Sequence, residues 1–343
     1  MTQVHKETPG VRENVGTLKI LITDRIAREG IELLHEQLPE AHIDERLGIK
    51  PDELKAIIGN YHALMVRSET QVTSDILDAA TQLKIVGRAG VGIDNIDVEA
   101  ATRQGIIVVN SPTGNCIAAA EHSIAMLLAL ARHIPRATAS MRAGKWEKSR
   151  FVGVEVRNKV LGIIGLGKVG IAVARRAQGM EMQILAFSPS VPPDLADQFG
   201  ITMMSLEELT QQADFITLHT SLTNRTRGLL GEYELRMMKP QARLINCARG
   251  GLIDEEALLK VLNEGHLAGV ALDVFSQEPI RDNETLKQII AHERVITTPH
   301  LGASTTDAQI GVATDVAEQI ATALRGGTPR APVNEISQTE GIF

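Results

Sequence analysis

Cysteine is nearly absent: Cys116 and Cys247 are the only two in 343 residues. That is too few for a disulfide framework and points to a reducing compartment. Positive charge is in deficit, with 35 Lys and Arg against 42 Asp and Glu for a net −7, which argues against the basic stripe that non-specific nucleic-acid binding needs. Aromatic residues are 3% of the chain, and its one tryptophan, Trp146, reads as a subunit-contact anchor rather than a base-stacking platform. Long apolar runs are missing too. The longest, Ile124 to Ala131, is far short of a bilayer span, and the opening MTQVHKETPGVRENVG has no apolar core of a signal peptide. A cytoplasmic protein with neither membrane nor nucleic-acid partners is expected.

What is present is a globular composition, 43% hydrophobic and 22% charged, long enough for two domains with separate cores. Ala, Val, Ile and Gly dominate, which suits parallel strands covered by helices on both faces. LKILIT, ALMVR, LKIVGRAG and IIVVN read as strands, with helical patterns REGIELLHEQL, PDELKAII and TSDILDAA between them. Pro51 falls at a first helical position and Ser74 near a cap. A longer helical stretch spans 117–143, with Pro135 kinking or splitting it. The βαβ rhythm then restarts at KVLGIIGLGKVG, and strands recur at MQILAFS, ADFITLH, ARLINC, HLAGVALDVF and VITTPH before a last helix, 305–324. No short repeat or low-complexity run occurs. The regular alternation predicts an α/β chain with two separate parallel sheets.

Gly165-Leu166-Gly167-Lys168-Val169-Gly170 follows the strand Val160–Ile164 and opens a helix, the strand–turn–helix context that a dinucleotide fingerprint requires. Gly165 permits the tight turn, Gly167 lets the backbone approach a pyrophosphate, and Gly170 lets helix and strand pack closely. The helix start then offers free N–H groups and partial positive charge to phosphate. The next strand, Gln183–Phe187, runs into Ser188, where an acid would bind the adenosine ribose. No Lys or Arg occurs between Ala177 and Asn224 to grip a 2′-phosphate. NAD is the expected cofactor, and NADP stays open.

Three segments near late strand ends carry the chemistry: Asn246–Gly251, Asp273–Pro279 and Pro299–Ser304. Reducing a 2-keto acid needs a cation to hold its carboxylate and polarise its carbonyl, and Arg249 offers a planar fork for this. It also needs a proton donor that titrates near neutrality, and His300 fits. Glu278 is placed to accept the other imidazole N–H and raise that pKa. No metal is called for, and both cysteines read as packing residues.

The motifs GLGKVG, NCARGG, DVF with EP, and PHLGAS are those of the D-isomer-specific 2-hydroxyacid dehydrogenases, and the chain resembles that family from about Leu18 to Asn334. Within it, VRS with Thr70, GRAGVGIDN, NSP with Gly114-Asn115, and ATASMRAGKWEKSRF are similar to the branch that converts 3-phosphoglycerate to 3-phosphohydroxypyruvate. The resemblance implies a flavodoxin-like substrate domain from 18–110 and 300–334, a Rossmann domain at 111–299, and tails at 1–17 and 335–343. It makes Arg249, Glu278 and His300 catalytic. Val91 and Gly92 would hold the substrate carboxylate through backbone N–H groups, with Asn115 nearby. Arg67 and Arg88 would face a substrate phosphate, joined by a basic residue of 142–150 from a neighbouring subunit. Asp273 and the Cys247 backbone would hold the nicotinamide amide, and Thr220 would line the adenosine side.

It further implies a homodimer or homotetramer built around 115–150, and a short form, since the chain ends soon after Asn334. Two other activities share these motifs: reduction of hydroxypyruvate, glyoxylate or another 2-keto acid, and an NADH-sensing corepressor that binds peptides.

Overall fold

The computed structural model describes residues 17–336; the expected tails fall almost entirely outside them. The chain divides into two compact units, one formed up to Asn115 and again from Gln309, the other by Cys116–Ala308. The sequence placed the seams at 110/111 and 299/300. The segment after His300 stays with the second unit because Asp273 of that unit accepts the N–H groups of Leu301 and Gly302.

In the first unit, five strands, β1 (Lys19–Ile22), β2 (His42–Glu45), β3 (Ala63–Val66), β4 (Ile85–Arg88) and β5 (Ile107–Asn110), form one sheet in the order β2-β1-β3-β4-β5. Every pairing is parallel, the flavodoxin-like arrangement. Successive strand residues point to opposite faces, so Leu21, Leu64, Val66, Val86 and Val108 build one core. Ile20, Ile22, Met65, Ile85 and Val109 build the other, against Val312, Val316 and Ile320 of the helix Thr306–Leu324. Each such buried side chain contributes about 2 kcal/mol of hydrophobic stabilisation. β2 was not read from the sequence: HIDE is polar, half-buried and pairs only with β1 at the sheet edge. Pro51 does open its helix, while the third helix starts at Ser74 with Thr73 as its cap.

The second unit holds β6 (Val160–Ile164), β7 (Gln183–Phe187), β8 (Thr202–Met203), β9 (Phe215–Leu218), β10 (Arg243–Asn246), β11 (Gly269–Leu272) and β12 (Val295–Thr297), in the order β12-β11-β10-β9-β6-β7-β8. All pairs are again parallel. The reversal of direction beside β6 is the topological switch at which such sheets take ligands. Leu161, Ile163, Ile245 and Ala271 face Met126, Leu127 and Leu130 of the helix Cys116–Ala131; Ile164, Ile216, Leu244 and Val270 face the opposite layer. The long helical stretch is split in two. Cys116–Ala131 and Ile134–Arg142 meet at 62°, with His133 in the left-handed region (φ 54°) and Pro135 in the first turn of the second helix. Among the described residues no single helix is long and apolar enough to cross a membrane.

Candidate active site

The glycine loop takes the form its sequence required. Gly165 sits at φ 98°, against the backbone of His219 and Thr220, where a Cβ would come within 2.8 Å. At Gly170 a Cβ would lie 2.2 Å from the Gly165 carbonyl oxygen, so only glycine lets the helix Lys168–Gly179 pack so close. At Gly167 an added Cβ would meet nothing within 4 Å. That open side, flanked by Lys168 and Val169 in the first helical turn, leaves the loop backbone free to be approached closely. The Gly165 N–H bonds the Phe187 carbonyl at 2.8 Å. Ser188, the next residue and itself buried, is thereby placed beside the loop.

At the carboxyl ends of β10, β11 and β12 three turns meet. Asn246, buried at the end of β10, donates from Nδ2 to the Arg249 carbonyl at 2.9 Å and accepts from the Ala248 N–H at 3.0 Å. Its side chain thus shapes the arginine turn, and the guanidinium donates from Nη1 to the Ala248 carbonyl at 2.7 Å. Glu278 uses both oxygens: Oε1 accepts from the Phe275 N–H at 2.8 Å and Oε2 lies 2.6 Å from His300 Nδ1. Burial pushes the Glu278 carboxyl up, but the bonds from His300 and Phe275 outweigh it, so its pKa is lowered. The Glu278 hydrogen bond in turn raises the His300 pKa against the opposing effects of burial and of Arg249. Since an ionised carboxylate only accepts, Nδ1 carries a proton and Nε2 is left to exchange one.

His300 occupies the left-handed region at φ 55°, uncommon without glycine, and the fully buried Asp273 holds it there. The His300 N–H bonds the Asp273 carbonyl at 2.9 Å. The carboxylate accepts from Leu301 N–H (2.7 Å), Gly302 N–H (2.8 Å) and Thr298 Oγ1 (2.6 Å), and His122 Nε2 lies 3.3 Å away. Asp273 is thus committed to the protein's own donors, a role that the expected nicotinamide contact did not include. Burial and the Asp273 charge push the Cys247 thiol up to about 12, so it remains a protonated packing residue. Its sulfur, His122 and Asp273 offer donor atoms within 4.8 Å of one another, but the carboxylate is already taken up by hydrogen bonds.

The first unit carries the remaining expected residues. Arg67 follows β3 and Arg88 ends β4, and Asn95 links their loops. Val91 accepts at its carbonyl from Asn110 Nδ2, while the N–H groups of Val91 and Gly92 donate to no protein acceptor among the described residues. Asn115 is the last residue before the second unit. Asn95 and the organising role of Asp273 went unread in the sequence, because each acts through partners that only folding brings near; Asn246 acts within its own turn, on Ala248 and Arg249.

The second unit is, by sheet order and glycine loop, a Rossmann-type dinucleotide-binding domain. Residues 124–302 match the D-isomer specific 2-hydroxyacid dehydrogenase NAD binding domain, and the chain belongs to that family. It is similar to a D-3-phosphoglycerate dehydrogenase of Synechocystis, 51% identical over 92% of this chain and 56% of the relative. It is also similar to one of Bacillus subtilis, 43% identical over 95% and 60%. The chain therefore spans less than two thirds of the curated relatives it matches. Among solved structures, a Thermus thermophilus protein superposes with a TM-score of 0.84 at 32% identity, covering 92% of this chain and 100% of that one.

Proposed function

We propose that the protein catalyses NAD-dependent interconversion of a D-2-hydroxy acid and its 2-keto acid, with 3-phosphoglycerate and 3-phosphohydroxypyruvate as the pair. The observation that carries the chemistry is the 2.6 Å contact between His300 Nδ1 and Glu278, at an imidazole that also feels the charge of Arg249. The names of the relatives and the placement of Arg67 and Arg88 at adjacent strand ends support the phosphorylated substrate.

The glycine loop and the first turn after it would hold the pyrophosphate of NAD. When bound, NADH supplies a hydride, two electrons with one proton, to C2 of the keto acid. Arg249 holds the substrate carboxylate and draws electron density onto the carbonyl oxygen. As the C=O π pair moves to that oxygen, His300 Nε2 gives up its proton to it, forming the hydroxyl. Glu278 stabilises the imidazolium beforehand and keeps the ring oriented. In the oxidative direction the neutral Nε2 takes the hydroxyl proton.

Residues 117–152 expose Ile117, Ile134, Met141, Trp146 and Val152, the last two 82% and 77% accessible. We read this face as the contact of a homodimer. The scarcity of cysteine suits a cytoplasmic location. The substrate reading is tested with purified protein and NADH against 3-phosphohydroxypyruvate, hydroxypyruvate and glyoxylate. The phosphorylated acid is expected to have the highest kcat/KM. Equal values for all three would reassign the protein as a general 2-keto-acid reductase.

A further inference from the structure

The two arginines of the first unit stand on adjacent strand ends, since Val66 pairs with Arg88 across β3 and β4 and Arg67 comes next. A long side chain such as Arg88 samples many rotamers, so a defined anion site needs something to fix it. Asn95, 8% exposed, has the bonds to do so. One amide hydrogen goes to the Arg67 carbonyl (2.8 Å) and the other to the Thr70 carbonyl (2.7 Å). Its Oδ1 accepts from Arg88 Nε at 3.1 Å, and its own carbonyl accepts the Val72 N–H at 2.8 Å. Below the same loop, the buried carboxylate of Asp24 accepts from the N–H groups of Arg67 (2.6 Å), Glu69 and Thr70 (both 3.2 Å). On the other side, Gly90 leaves room for the guanidinium: a Cβ there would lie 2.2 Å from Arg88 Nη1.

We propose that Asn95 is the positioning residue for Arg88, fixing its guanidinium against the Arg67–Thr70 loop so that it favours 2-hydroxy acids with a dianionic tail. The proposal rests on the phosphate-tail reading above. The bond to Nε sets the plane in which Arg88 presents its guanidinium, and the bond to the Arg67 carbonyl ties that plane to the backbone of the second arginine. Two donors and one acceptor on a short stem are what asparagine alone supplies. Aspartate loses both donors, and glutamine is one methylene too long.

The test compares wild type, Asn95→Ala and Asn95→Asp in the full chain, with 3-phosphohydroxypyruvate and hydroxypyruvate as alternative substrates. In Asn95→Ala the kcat/KM for the phosphorylated acid is expected to fall on the order of tenfold through KM, and to fall clearly less for hydroxypyruvate, which has no tail for Arg88 to hold. Inhibition by inorganic phosphate should weaken in parallel. Asn95→Asp keeps the shape and the acceptor but adds a negative charge beside Arg88, so its preference should fall further; it also carries the test if melting shows that the alanine variant is unfolded. A preserved preference in both variants, or an equal fall for both substrates, overturns the role of Asn95 while leaving the phosphate reading in place. A wild type that shows no preference removes the phosphate reading, and this inference with it.

Discussion

Glu278 Oε2 and His300 Nδ1 lie 2.6 Å apart, and the other Glu278 oxygen is tied to the Phe275 N–H, so the imidazole is oriented by a carboxylate that is itself fixed to the backbone. The carboxylate raises the His300 pKa. Reduction needs imidazolium and therefore fades as pH rises through that value; oxidation needs neutral imidazole and grows over the same interval. In Glu278→Gln the amide carries no charge, the His300 pKa falls, and both transitions should move to lower pH. Profiles of kcat/KM in each direction check this, and an unmoved or upward-shifted profile counts against the pairing.

Arg249 is expected to act on substrate. Arg249→Ala should cost about 3 kcal/mol of transition-state stabilisation, the size of a lost charge-assisted pair. Arg249→Lys should recover part of it, because a point charge lacks the fork. Steady-state kinetics on both variants decide the matter: near-wild-type turnover in the alanine variant removes the assignment.

Asp273 should matter through the loop it holds. Replacing it by asparagine turns one acceptor oxygen into a donor facing the Leu301 or Gly302 N–H. Leaving such a buried group unsatisfied costs about 3 kcal/mol. Both melting temperature and kcat should fall. A variant as stable and as active as wild type would show that the His300 turn keeps its shape without this carboxylate.

Ser188 sets the cofactor expectation. Buried at the end of β7, it offers a hydroxyl but no charge, so wild type should use NADH and discriminate weakly against NADPH. Ser188→Asp should sharpen the choice by about 2 kcal/mol, through a charged hydrogen bond to ribose and repulsion of a 2′-phosphate. Dissociation constants for both cofactors measure the change. A strong wild-type preference for NADPH would overturn the expectation.

The exposed face around Trp146 yields a hydrodynamic test. Trp146→Glu puts a charge where the dimer contact is proposed, and light scattering should show a shift towards monomer. A wild type that is already monomeric at micromolar concentration would dispose of the contact.

Local chemistry was legible in the sequence because local chemistry produced it. The glycine loop, the alternating cores of β1 and β3, the break near Pro135, and the Arg249, Glu278 and His300 segments all follow from residue type within a few positions. β2 escaped because a polar edge strand carries little of the alternation that marks a strand, and it is held by a neighbour 23 residues earlier in register, Lys19 with His42. The bonds that shape the sites escaped for the same reason on a larger scale. Asn95 reaches back 28 residues to Arg67, Asp273 reaches forward 28 to Leu301, and Glu278 meets His300 across 22. The sequence determined which groups are available for the proposed binding and proton transfer. Only the parallel sheets, by bringing successive strand ends to one edge, decided which of those groups share a carboxylate, a guanidinium or an amide.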